Sequence, residues 1–131
     1  MKYILMMHCP KTGYETFGAM PKKDLQAHIA FMLDLNKSLR ESRELVSAEG
    51  LASPQQAKLV RAAEDGTPIT DGVFPESKEF LAGYWIVEVP SPDRAYAIAA
   101  RASAAPGLGG APMSIPIEVR QVMSGPPDEL L

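Results

Sequence analysis

The stretch Thr70-Asp71-Gly72-Val73-Phe74-Pro75-Glu76-Ser77-Lys78-Glu79-Phe80-Leu81-Ala82-Gly83-Tyr84-Trp85-Ile86-Val87-Glu88 runs from a turn through a charged loop into a strand. Asp71-Gly72 is turn chemistry, because glycine reaches positive φ without steric cost. Glu76, Lys78 and Glu79 form a short charged run. Tyr84 to Val89 is the best strand of the chain. Trp85, Val87 and Val89 alternate with Tyr84, Ile86 and Glu88, so the strand is apolar on both faces and needs cover on both. A buried strand behind a polar loop makes a fixed platform from which side chains project.

Downstream, Ser91-Pro92-Asp93 opens a helix. Serine caps the free amides, proline is tolerated in the first turn, and aspartate suits the positive end of the dipole. Its body, Ala95 to Ala102, is alanine-rich, and Gly107 to Pro112 breaks it. Ile115, Ile117 and Val119 then alternate with polar residues as a half-buried strand. Pro116 places that strand at an edge or at its entry.

Upstream, Tyr3 to Met7 is a short apolar strand. Pro10 to Met20 is punctuated by glycine and proline and holds Tyr14 and Phe17, so a packed flap is expected. Pro21 to about Ser42 is the clearest helix, with a stripe of Leu25, Ile29, Met32, Leu35 and Leu39. Leu45 to Ala48, Ala57 to Ala62 and Ile69-Thr70 read as short strands, with turn chemistry at Gly50 to Pro54 and Glu64 to Pro68. The order β-α-β-β-(short β)-β-α-β is the split-βαβ, ferredoxin-like α+β plan with an inserted strand.

At 131 residues the chain is one domain, read as 1–123 with a loose tail at 124–131. The net charge is −3 and the cations are spread out, which argues against nucleic acid. One cysteine permits no internal disulfide and suits a reducing cytoplasm. The apolar start is too short for a signal peptide, and no run approaches a membrane span. No motif calls for a cofactor.

The opening stretch also resembles the DGPF-motif proteins, relatives of the YciI-like family. The resemblance rests on Asp71-Gly72-Val73-Phe74, Glu76-Ser77-Lys78-Glu79 and Gly83-Tyr84-Trp85-Ile86-Val87-Glu88. Val73 stands where that motif has proline, and the remaining segments follow the family's order to about Met123. The resemblance implies a homodimer in which two sheets pack as a dimeric α+β barrel. It also implies either a small-molecule enzyme or a non-catalytic binding or regulatory module, some relatives resembling accessories of sigma-type transcription regulators.

His28 is the first candidate for chemistry. It lies within the apolar stripe of the first long helix, and Asp24 is one turn earlier, a spacing at which the two side chains can meet. A carboxylate there would orient the imidazole as a general base requires. The competing reading is a core-edge histidine satisfied by a backbone carbonyl or water. His28-Ile29-Ala30-Phe31-Met32 resembles the YciI-type helix, whose histidine is proposed to act with an aspartate. Asp71, Asp24 and Asp34 are all open as that partner, with Asp71 preferred and Asp24 second. Tyr14, Phe74, Glu76 and Lys78 are the candidate substrate contacts. The competing reading makes Asp71 a residue that stabilises its own turn, and Glu76 with Lys78 a structural ion pair. His8, Cys9 and His28 lack any zinc spacing, so no metal is expected.

Overall fold

A computed structural model describes residues 1–72 and 79–131. Six strands and three helices follow in order: β1 (Lys2–Pro10), α1 (Lys11–Gly18), α2 (Lys22–Glu41), β2 (Leu45–Gly50), β3 (Lys58–Ala62), β4 (Pro68–Gly72), β5 (Glu79–Glu88), α3 (Pro92–Ser103) and β6 (Ile117–Gln121). Four of the strands form an antiparallel sheet in the order β2-β5-β1-β6. The fold is therefore α+β.

The central pair carries the core. Leu5 pairs with Trp85 and Tyr3 with Val87, and all four are buried on the face that α2 and α3 cover. Leu35 and Leu39 of α2 meet Ala95, Ile98 and Ala102 of α3 over that face. The alanines let α3 lie close to the sheet, and its start is as the sequence dictates. Ser91 Oγ accepts from Arg94 N at 3.3 Å, with Pro92 in the first turn.

Three local expectations change. The Pro10–Met20 flap is largely helical, since Lys11–Gly18 is α1. Gly13 reads as a breaker, yet it is needed inside the helix because a Cβ there would run into Cys9 Sγ. Ile29 does not belong to the buried stripe. It lies 53% exposed, about 100° around the helix from His28, and the buried side runs through Asp24, Leu35 and Leu39. Asp71-Gly72 is the end of strand β4, not a turn, because Lys58 and Leu59 pair with Gly72 and Asp71.

The inserted element is a whole hairpin. Among the described residues β3 and β4 pair only with each other, through a turn in which Asp65 Oδ1 accepts from Thr67 N at 3.0 Å and from its hydroxyl at 2.7 Å. β6 follows Pro116 directly and is an edge strand. A register shift sits where Met7 opposes Gly83 but His8 opposes Leu81, leaving Ala82 as the extra residue. Such a bulge re-aims the strand beyond it. No helix among the described residues is long and apolar enough to cross a membrane.

A cavity between the first two helices and the sheet

The helix-covered face of the sheet does not close completely at the end where β1 runs into α1. A cavity of about 430 Å³ remains, walled mainly by Met7, Phe17, Met32, Trp85, Met113 and Ile115. The polar residues of its wall are Cys9, Tyr14, His28, Asn36, Glu49 and Ser53. That is the usual make-up of a small-molecule site: an apolar cleft of a few hundred Å³ with a few convergent polar atoms.

His28 reaches the wall from the middle of α2. Its Nδ1 lies 3.1 Å from the carbonyl oxygen of Pro106. A carbonyl only accepts, so Nδ1 carries the hydrogen and the neutral ring keeps its lone pair on Nε2. Nε2 has no protein partner among the described residues. Phe17 packs edge-on against the imidazole, with centroids 4.9 Å apart at 75°, which fixes the ring plane.

Asp24 does not touch His28. It is 8% exposed, and its Oδ2 accepts from Gly109 N at 3.1 Å. Gly109 has φ +67, a conformation suited to glycine. Asp24 and His28, one turn apart, thus pin the same segment at Gly109 and Pro106. The partner of His28 is a backbone carbonyl carried by a loop that Asp24 holds. Asp71 lies exposed in the hairpin and does not wall the cavity, because β4 pairs with β3 and not with the main sheet. Asp34 is also exposed, where it meets Arg101 at 3.5 Å. Phe74, Glu76 and Lys78 lie outside the described residues.

Tyr14 does wall the cavity, and its hydroxyl is buried with no hydrogen-bond partner among the described residues. Burial, with a smaller contribution from Cys9, pushes its pKa up, so the phenol stays protonated and able to donate. Burial first, and Glu79 second, pushes the Cys9 thiol up as well, away from a reactive thiolate. His8, the preceding residue, lies on the other face of the sheet, its Nε2 3.5 Å from Glu118 Oε1. Alternation along β1 therefore separates His8 from Cys9.

The sequence reading missed Asn36 and Pro106. Asn36 Oδ1 accepts from Trp85 Nε1 at 2.8 Å, locking the indole into the cavity floor. An amide on the flank of the apolar stripe of α2 was an available signal for it. A backbone carbonyl leaves no side-chain signal.

The sheet, its helices and this cavity define an α+β domain with a ligand-sized site. The chain belongs to the YCII-related domain family, whose model matches residues 1–111. That match stops short of Met113, Ile115 and β6, which complete the cavity wall and the sheet. Comparison with curated proteins gives no match.

Proposed function

We propose that the cavity takes a small molecule and that His28 acts on it as an acid or base through Nε2. The observation that carries this reading is the bond from Nδ1 to the Pro106 carbonyl. It orients the ring, selects the tautomer and leaves the second nitrogen for a ligand, as a general base requires. The test is a thermal-shift screen of metabolites against the wild type and His28→Gln. A ligand that binds only the folded chain raises Tm by mass action. Hits that shift the wild type and shift the variant less support the reading. Hits that shift both equally leave His28 without a role.

The second face of the sheet supports a homodimer, which in a ferredoxin-like fold would make a dimeric α+β barrel. Ile4, Met6, Tyr84 and Ile86 alternate with the core residues and lie half-buried on the side that no described helix covers. A non-catalytic binding module is the second reading. It is favoured by Leu59 and Val60, 52% and 62% exposed on a hairpin that buries neither. A protein partner would cover them. Crosslinking at Val60 to a heterologous protein, with an empty cavity in every ligand screen, would put this reading first.

A further inference from the structure

Asp24 is the one charged side chain that is buried among the described residues, and an ionised carboxylate is costly to bury unless its oxygens are used. It stands in the first turn of α2. An acid at this position usually reaches back to the amide of the residue before the helix. That residue is Pro21, which has no N–H. The Asp24 carboxylate accepts instead from Gly109 N, 85 residues away in sequence, at 3.1 Å.

Gly109 belongs to a loop that is closed on itself. Gly107 N donates to Ala111 O at 2.7 Å, Gly110 N to Gly107 O at 3.0 Å and Met113 N to Ala105 O at 2.9 Å, and Pro106 bridges to Pro112. Gly109 and Gly110, at φ +67 and +81, make its tight bend without steric cost. So braced, the loop moves as one piece, and a hold on Gly109 is a hold on Pro106. The Pro106 carbonyl is the group that keeps the hydrogen of His28 on Nδ1.

We infer that Asp24 is a positioning residue: through Gly109 and the closed loop it holds the Pro106 carbonyl against His28 Nδ1, and so keeps Nε2 free of hydrogen. This rests on the reading of His28 as an acid or base through Nε2, a role that the tautomer decides. Asp24 does not wall the cavity and does not touch the imidazole. The two residues, one turn apart on one helix, act through a shared loop and not on each other. An unconstrained neutral histidine prefers its hydrogen on Nε2, so the arrangement needs such an outside hold.

The test reads the tautomer directly and needs no ligand. The ring nitrogens of His28 are observed in the isotope-labelled full-length protein by long-range proton–nitrogen NMR, at a pH where the ring is neutral. His28→Gln identifies their signals, the other histidine being His8. Wild type should show the hydrogen on Nδ1. Asp24→Asn should keep it there, because an amide oxygen still accepts from Gly109 N. Asp24→Ala should move it to Nε2 in most of the population, with the Trp85 indole N–H still marking a folded core. Gly109→Pro removes the same hydrogen bond from the loop side, leaves α2 untouched and should give the same loss. It decides the matter if Asp24→Ala does not fold. Hydrogen retained on Nδ1 in either folded variant would overturn the inference, making Asp24 a stabilising residue only and leaving His28 as the candidate acid or base. Hydrogen on Nε2 in the wild type would overturn both.

Discussion

Tyr14 and Trp85 sit in the same cavity wall with opposite relations to the protein. The Tyr14 hydroxyl is buried and has no partner among the described residues, so its removal costs no described hydrogen bond. Tyr14→Phe should leave stability unchanged or raise it by up to about 1 kcal/mol, measured by urea unfolding. A loss of more than about 1 kcal/mol would mean that the hydroxyl has a protein partner after all. Trp85 is 6% exposed, and its N–H is bound to Asn36. Trp85→Ala should cost roughly 3–5 kcal/mol in the same experiment, because it opens a core cavity and strands the Asn36 amide. A cost below about 1 kcal/mol would contradict its place in the core. His28 was legible in the sequence as a histidine on an apolar helix face. Its partner was not, because any residue could have supplied the Pro106 carbonyl.

Elements with strong local chemistry were readable, and those shaped by contact were not. The start of α3 and the body of α2 announce themselves through Ser91, Pro92 and the apolar repeat. α1 does not, because Gly13 is present to clear the Cys9 sulfur and a sequence shows the glycine without the sulfur. The end of α2 is equally silent. Arg43 takes φ 62, where a glycine would be the usual signal, and Glu44 N donates back to Leu39 O at 2.9 Å. Glu44 then ties this corner to the start of α3, its two oxygens meeting Arg94 Nε and the terminal guanidinium nitrogen at 2.7 and 2.8 Å. The Arg94 hydrogen bonds hold the Glu44 carboxyl below its usual range. A carboxyl lowered in the folded state adds stability above its unfolded pKa and loses it as pH falls through the folded value. Glu44→Gln should therefore be less stable than wild type near neutral pH, by about 1 kcal/mol or less because Arg94 is solvent-screened. The gap should close on acidification through the carboxylate range. A gap independent of pH would rule out the ion pair as its source.

At the scale of the whole molecule, the sequence order already implied a split-βαβ, ferredoxin-like plan with one inserted strand, and the sheet itself has four. The hairpin was harder to read. Ala57 to Ala62 looks as much like a main-sheet strand as Leu45 to Ala48 does, and only the pairing of β3 with β4 separates them. The uncovered sheet face leads to a prediction of assembly. Two copies packed through Ile4, Met6, Tyr84 and Ile86 should bury at least ~1,000 Å², enough for a stable dimer. Light scattering at micromolar concentration should give a dimer mass, and Ile86→Glu should give a monomer with an unchanged circular dichroism spectrum. A monomeric wild type would remove the dimer proposal. The helix α1 has a kinetic consequence. It contributes three residues to the cavity wall yet has no buried residue and no side-chain cap of its own. Its amides should exchange with deuterium far faster than those of β1 and β5, since segments with little buried contact open locally while the core stays shut. A hit from the thermal-shift screen, at saturation, should slow that exchange in α1 and leave the sheet unaffected. The rate at which ligand enters would then level off at high concentration, set by how often one short helix lets go.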